Sequence, residues 1–272
     1  MTDVTLHIDD SGIPEGGDGR TVVLIHGWPL SAESWDAQTE ALVAAGHRVV
    51  AYDRRGFGRS SKPEEGYDYD TFAADLDSVL TQLDLTDVTL VGFSMGGGEV
   101  ARYVAGHGQD RVRSVVFAAA VPPFLMQGDD NPEGPLTKEA FQEMRGGLEA
   151  DRDAFFDEFT TGFFSTAEGI QVSEEQRQEA LALAKQSSQT AALGAMDAWA
   201  TTDFRDDLDA ITVPTLVIHG DGDQTVPLEG SGARTAAAIE GSELHVIEGG
   251  PHGCNVSHAE EFNRVLLDFL QR

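Results

Sequence analysis

Gly92-Phe93-Ser94-Met95-Gly96 lies between two segments of opposite character, and that setting limits the fold more than any other stretch. Before it, Asp87-Val88-Thr89-Leu90-Val91 is an apolar run that reads as a buried strand; after it, Glu99 to Ala105 reads as a helix. A serine at a sharp strand-to-helix turn leaves no room for side chains two positions either way, so glycine is required at 92 and 96. Such a turn projects the Ser94 hydroxyl above the sheet and aims the Met95 N–H at the same space. The first turn of the helix adds unpaired N–H groups and a partial positive charge.

The rest of the chain supplies the sheet that this turn needs. Val4–Ile8, Thr21–Ile25, Arg48–Tyr52 and Ser114–Ala119 read as strands, Thr21–Ile25 as the unbroken β-branched run that suits a parallel strand covered on both faces. Helical spacing falls between them at Ser34–Ala45 and at Thr71–Leu83, where Phe72, Leu76, Val79, Leu80 and Leu83 recur on one face. Strand and helix alternate, which predicts an α/β fold with a mostly parallel central sheet wrapped by helices through right-handed crossovers. The rhythm stops at about Val121 and resumes after Asp203. The prolines at 122, 123, 132 and 135 open this interval, and helices are predicted over Thr137–Leu148, Arg152–Phe163, Ser173–Lys185 and Thr190–Ala200. We expect residues 121–203 to be a helical cap inserted into a core of residues 1–120 and 204–272. Its phenylalanines at 155, 156, 159, 163 and 164 are expected to pack the cap onto the core, with some lining a pocket that faces the serine. Pro29, Phe124, Phe159 and Trp199 are the candidates for that pocket. Val213–Ile218 and Glu243–Ile247 then read as strands, Thr235–Ile239 as part of a helix and Ala259–Leu270 as a closing helix.

A serine hydroxyl is a poor nucleophile until a base removes its proton. Where such a turn carries a hydrolytic serine, acid and histidine come later in the chain in that order, each after a strand. Among the eight histidines only His252 and His258 lie beyond the last predicted strand. His252 sits in Glu248-Gly249-Gly250-Pro251-His252-Gly253, a tight loop suited to presenting a base, whereas His258 falls at the start of the closing helix as a surface or capping residue. The loop His219-Gly220-Asp221-Gly222-Asp223 offers two acids. Asp223 is preferred because it precedes Val226-Pro227, where a new element starts; Asp221 suits a turn residue that bonds its own backbone. Two N–H donors are needed for an oxyanion, and Met95 and Trp28 are the candidates. Pro29 biases Trp28 toward extended backbone, which aims the Trp28 carbonyl at the site. His26 is expected to support this loop. The arginines of Asp53-Arg54-Arg55-Gly56-Phe57-Gly58 are expected to tie loops together, because no helix comes next to make a phosphate site.

Charge and cysteine usage narrow the partners. Asp and Glu number 47 against 18 Lys and Arg, a net charge of −29, and only Lys62, Lys138 and Lys185 are lysines. Such a surface repels nucleic acid and anionic lipid. The excess is spread along the chain above an intact apolar pattern, so we read it as adaptation to a high-salt cytoplasm, where the Debye length is about 3 Å in molar salt. No run of about 18 apolar residues predicts a membrane span, and Met1-Thr2-Asp3-Val4-Thr5-Leu6 lacks the pattern of a signal peptide, which predicts a cytoplasmic protein. The single cysteine, Cys254, permits no intrachain disulfide, no metal-ligand spacing is visible, and no cofactor is expected.

Taken together, His26-Gly27-Trp28-Pro29-Leu30, Asp53-Arg54-Arg55-Gly56-Phe57-Gly58-Arg59-Ser60, Gly92-Phe93-Ser94-Met95-Gly96-Gly97-Gly98, His219-Gly220-Asp221-Gly222-Asp223 and Pro251-His252-Gly253 resemble the cofactor-free bacterial haloperoxidases, also called perhydrolases. These are similar to aryl esterases of the same α/β-hydrolase branch. The resemblance spans nearly the whole chain and is weakest in the cap. It implies a metal-free enzyme in which Ser94, served by Asp223 and His252, is acylated by a small ester or carboxylic acid. Water then completes hydrolysis, or hydrogen peroxide releases a peracid that oxidises halide in solution. Pro29 after Trp28 resembles the perhydrolase-leaning members, and relatives of this kind often form homo-oligomers. Hydrolysis of a carbon–carbon bond or a lactam by the same three residues, and a ligand receptor on the same fold, are the alternatives. Dehalogenase and epoxide-hydrolase relatives carry an aspartate where Ser94 stands.

Overall fold

A computed structural model describes residues 4–17 and 20–272; Met1 to Asp3 and Asp18-Gly19, which belong to the amino-terminal stretch and to the turn region before the second strand, lie outside the described residues. Among the described residues seven strands form the main sheet in the order β1 (His7–Asp10), β3 (Arg48–Asp53), β2 (Thr21–Ile25), β4 (Val88–Phe93), β5 (Val112–Ala118), β8 (Thr215–Gly220) and β9 (Glu243–Ile247). Every neighbouring pair is parallel except β1 with β3. Strands β2, β4 and β8 are buried along their whole length, as the unbroken apolar runs require. Helices cover both faces: α1 (Asp36–Ala44) packs with α11 (Ala259–Leu270) on one side, and α2 (Tyr69–Gln82) packs with α3 (Met95–His107) on the other. Ala259–Leu270 matches its predicted range, and its Phe262, Val265, Leu266, Phe269 and Leu270 form one buried stripe.

Between β5 and β8 the chain leaves the sheet. It forms α4 (Lys138–Ala150), α5 (Arg152–Phe163), a hairpin of β6 (Ser165–Thr166) and β7 (Gly169–Ile170), α6 (Glu174–Lys185), α7 (Gln189–Thr201) and α8 (Arg205–Asp209). Thr137, Asp151, Ser173 and Ser188 each accept a hydrogen bond from a backbone N–H in the first turn of their helix, and Ser173 with Gln176 completes a capping box. The β6–β7 hairpin escapes the sequence pattern because two-residue strands have no periodicity. The first strand also differs: it covers His7–Asp10 rather than Val4–Ile8. An edge strand tolerates charge on its solvent side, and Asp9 and Asp10 continue it as the partners of Arg59 and Arg48. The helix predicted from Ser34 begins with a 3₁₀ turn at Ala32–Trp35, and α1 proper starts at Asp36. After β8, α9 (Gly232–Ala238) precedes β9, and a single turn, α10 (Cys254–Ser257), precedes α11. Among the described residues no helix is long and apolar enough to cross a membrane.

With 47 carboxylates against 18 cations, the surplus of 29 has no opposite charge to meet and repels itself across the surface. The thermal midpoint is expected to rise by more than about 5 °C between dilute buffer and molar KCl, a gain of roughly 1–2 kcal/mol for a chain of this size. Calorimetry at both salt levels measures it, and equal midpoints would remove the salt-adaptation reading.

Candidate active site

From β2 to β3 the chain moves one way across the sheet, and from β3 to β4 it returns past β2, so the direction reverses between β2 and β4. Crevices at the carboxyl ends of strands open at such reversals. Ser94 stands there, directly after β4, with the loops of β2 and β5 on either side. Its backbone is at φ +52°, ψ −118°, a region that a residue with a side chain rarely occupies. The surroundings hold it: Ser94 N donates to Ala118 O at 2.8 Å, while Gly97 N and Val121 N donate to Ser94 O at 3.0 and 3.2 Å. The glycines at the turn are a matter of space. A Cβ on Gly92 would lie 2.4 Å from Gly96 O, and one on Gly96 would lie 2.4 Å from Ile25 O.

The hydroxyl meets a base. Ser94 Oγ is 2.9 Å from His252 Nε2, and His252 Nδ1 is 2.7 Å from Asp223 Oδ2. Asp223 Oδ1 accepts from Thr225 N at 2.9 Å and Val226 N at 2.8 Å, and Oδ2 also lies 3.2 Å from His219 Nε2. Burial alone would raise the Asp223 pKa, but His252 and His219 beside it hold the carboxyl below the usual carboxylate range. An ionised carboxylate at Nδ1 keeps the proton on that nitrogen and leaves the Nε2 lone pair for Ser94. Phe93 and Phe163 press on the imidazole at 5.2 and 5.0 Å between ring centres and shield it from water. The turn role expected of Asp221 belongs to Asp223. Asp221 Oδ1 instead accepts from Gly249 N at 2.7 Å, joining the acid loop to the loop that carries His252. His258 is half-buried at the head of α11, but its side chain caps nothing; its Nδ1 pairs with Ser257 Oγ at 2.9 Å.

Trp28 lies in the loop after β2, and Met95 follows Ser94 at the start of α3. Among the described residues, no protein group accepts from the N–H of Trp28 or Met95. The Met95 carbonyl is held by the Tyr69 hydroxyl at 3.0 Å, a partner for which the sequence carried no signal. The Trp28 indole donates to Ala192 O at 3.0 Å and is boxed by Phe155, Phe156, Phe159 and Trp199, so the inserted helices seat directly on the β2 loop.

A cavity of about 360 Å³ opens over Ser94 and His252, walled by Trp28, Phe159, Trp199, Met144 and Leu125. Of the four pocket candidates, Phe159 and Trp199 line this cavity, and Phe124 and Pro29 do not. Phe124 lies away from the cavity with its ring under the Arg205 guanidinium at 5.5 Å, and its neighbours Val121 and Leu125 line the wall instead. An irregular proline-rich segment offers no periodicity from which to tell 124 from 125. Pro29 is buried and does not line the cavity; the Trp28–Pro29 bond is cis. Met144 was legible as part of the apolar stripe of α4 with Phe141 and Leu148.

The arginines of the loop after β3 do tie segments together. Arg55 forks onto Asp75 at 2.6 Å to both oxygens, Arg59 pairs with Asp53 at 2.8 Å, and Arg54 is buried with Glu99 at 2.7 Å. His26 supports its own loop: Nε2 accepts from Arg54 N at 2.9 Å and Nδ1 bonds Gly27 O at 2.8 Å. Burial and the Arg54 charge push its pKa down to about 3. An ordinary histidine takes its proton near pH 6.5. The unfolded chain therefore binds a proton that the folded chain refuses, and the stability present above pH 6.5 is lost as pH falls toward 3. Unfolding free energies from urea titrations at pH 7.5 and pH 5 are expected to differ by about 2 kcal/mol from this group, at about 1.4 kcal/mol per pH unit. A His26→Gln variant with the same slope as wild type would contradict it. Cys254 is buried beside the site, and burial together with the Asp223 charge raises its thiol pKa. Among the described residues no group of three His, Cys, Asp or Glu is arranged to hold a metal ion.

Known proteins resemble the chain over nearly all of its length. The family model described as alpha/beta hydrolase fold matches residues 20–259. The structure superimposes on the bromoperoxidase of Bacillus anthracis with a TM-score of 0.95 and 51% identity, covering 99% of this chain and 96% of that one. The chain is 44% identical to the non-heme chloroperoxidase CPO-A1 of Kitasatospora aureofaciens over 94% of each. It is 38% identical to the bifunctional esterase/perhydrolase DCH of Acinetobacter calcoaceticus, covering 93% of this chain and 92% of that one.

Proposed function

From the premise that the chain belongs to the alpha/beta hydrolase family, we propose that it is a serine hydrolase of small carboxylic esters whose acyl-enzyme is also open to hydrogen peroxide. In this reading Ser94 is the nucleophile, His252 the general base and Asp223 its orienting carboxylate. Residues 121–203 act as the cap that closes the cavity, and Phe159 and Trp199 line the substrate pocket.

The chemistry is set by the distances. His252 Nε2 takes the Ser94 proton as Oγ attacks the ester carbonyl. The oxyanion that forms is met by the free N–H groups of Trp28 and Met95. The imidazolium, stabilised by Asp223, protonates the leaving alcohol, and the acyl group stays on Ser94. His252 then draws a proton from water, whose oxygen attacks the acyl carbon, and Ser94 leaves with the proton returned. With hydrogen peroxide in place of water the same steps release a peracid. The peracid transfers one oxygen to halide in solution, giving hypohalite and the carboxylate. No cofactor takes part. The names borne by the bacterial relatives support the peroxide branch, and the strongly acidic surface supports a small uncharged ligand over nucleic acid. We also propose a cytoplasmic location and a homo-oligomeric assembly.

The observation that carries the reading is the continuous hydrogen-bonded run from Ser94 Oγ through His252 to Asp223 beneath an apolar cavity. Its test is release of p-nitrophenol from p-nitrophenyl acetate in molar KCl. Parallel reactions contain peroxide, bromide and a halogenation indicator. Ester turnover with peroxide-dependent bromination is expected; ester turnover without bromination would leave a plain esterase, and no turnover of any ester would remove the hydrolase reading.

A further inference from the structure

No step of the proposed reaction uses Arg54, yet it is fully buried, as is its partner Glu99. Its guanidinium reaches two separate segments at once. Nε donates to Glu99 Oε2 at 2.7 Å, and Nη2 donates to the His26 carbonyl at 2.9 Å. The face of Phe72 lies 5.4 Å away, and the Tyr52 hydroxyl donates to the second oxygen of Glu99. Both segments matter to the site. His26 begins the loop that presents the Trp28 N–H. Glu99 lies one turn after Met95 on α3, the helix that Ser94 starts. Between them the fit is close, since a Cβ on Gly96 would stand 2.4 Å from Ile25 O and 3.1 Å from His26 O.

A buried ion pair is a weak source of stability, because desolvating both charges offsets most of their attraction. Its geometry is another matter. Guanidinium is a rigid planar fork with nitrogens at fixed angles, so two acceptors bound to one fork have a fixed separation. We propose that Arg54 is a positioning residue that sets the distance between the two oxyanion donors, Trp28 N–H and Met95 N–H, by holding His26 and Glu99 on one guanidinium. The proposal rests on the serine-hydrolase reading. It places Arg54 in no reaction step and gives it no contact with substrate. Displacing a reacting group by about 1 Å can cost about 10²-fold in rate, and removing one oxyanion donor costs about 10²–10³-fold.

Two variants test it. Arg54→Lys keeps a cation beside Glu99 and removes the prong that reaches His26. Arg54→Met with Glu99→Met removes both charges and leaves neither unpaired. For each, kcat, KM, thermal midpoint and inhibition by phenylboronic acid, which adds to a serine oxygen as a tetrahedral anion, are measured together. Arg54→Lys is expected to lose at least about 10-fold in kcat and the double variant about 10²-fold. KM should stay within about twofold and boronate affinity should fall in step with kcat, the signature of an interaction made only in the transition state. A folded variant with wild-type kcat and wild-type boronate affinity overturns the proposal. So does a loss of kcat that merely tracks a fallen midpoint and a raised KM. If the double variant does not fold, Arg54→Lys decides alone. The two readings fail differently: a wild type that turns over no ester sinks the hydrolase reading, whereas an active wild type matched by Arg54→Lys sinks only the positioning role.

Discussion

Ser94→Ala is expected to lower kcat for p-nitrophenyl acetate by about 10⁶-fold, the scale of loss found when a hydrolytic serine is removed. The physical reason is specific to the site. Ser94 Oγ is the atom His252 Nε2 faces, at 2.9 Å, and alanine leaves the imidazole with nothing to deprotonate but water. The cavity and the two free backbone donors survive, so a residual acceleration of about 10³-fold over the uncatalysed reaction should persist. The protein should remain folded. Alanine keeps the Cβ that already tolerates φ +52°, and the bonds that hold the turn, to Ala118, Gly97 and Val121, are all made by the Ser94 backbone. Stopped assays at high enzyme concentration, with thermal midpoints as control, measure both parts. A folded variant keeping more than about one per cent of wild-type kcat would transfer the nucleophile's role elsewhere.

Asp223→Asn should cost about 10⁴-fold in kcat, with the structure again nearly unchanged; that magnitude is the one measured for the equivalent change in a chymotrypsin-type triad. Here the direction can be worked out from the hydrogen bonds. Thr225 N and Val226 N both donate to Oδ1, so the amide oxygen of asparagine must occupy that position. Its NH₂ is then forced toward His252 Nδ1 and His219 Nε2. A donor facing Nδ1 drives the imidazole proton to Nε2, where it points at Ser94 and blocks the transfer. KM should change little, because Asp223 sits behind the imidazole. Rates against pH for wild type and variant, with matched boronate binding, measure the effect; an Asp223→Asn enzyme within tenfold of wild type would mean that His219 or another group orients the base.

How much of this was legible beforehand differs by element. The strand, serine turn and helix from Val88 to His107 could be read because three constraints coincide there: a buried run, glycines with no space for a Cβ, and a helical pattern. His252 was readable by position, as one of two histidines after the last strand. Asp223 could be told from Asp221 by the Val226-Pro227 pair downstream of it, and Asp223 is the one that stands within hydrogen-bonding distance of His252; Asp221 was expected to bond its own backbone and has another partner. It lies at Gly249, 28 residues away, and no local rule points to a contact of that range. The same holds for Tyr69 on Met95 and for Arg54 between His26 and Glu99, which come together only once β2, β3 and α3 are assembled. The pocket was the least legible part. Phe124 was chosen for its size, but whether it or Leu125 faces inward is settled by an irregular loop pinned by Asn131, whose side chain donates to the Phe124 and Met126 carbonyls at 3.0 and 2.8 Å.

The helices from α4 to α7 enter the chain after β5 and leave it before β8, and those two strands pair directly, Val115 with Thr215 through Ala118 with Ile218. Ser94, Asp223 and His252 follow strand ends on either side of that insertion, while the insertion lends Met144, Phe159 and Trp199 to a cavity wall that Trp28 and Val226 also build. On the function proposed above, recognition and bond-breaking divide between different stretches of polypeptide. A chimaera in which residues 121–203 are exchanged for a segment of another length should inherit a new substrate preference and keep the old chemistry.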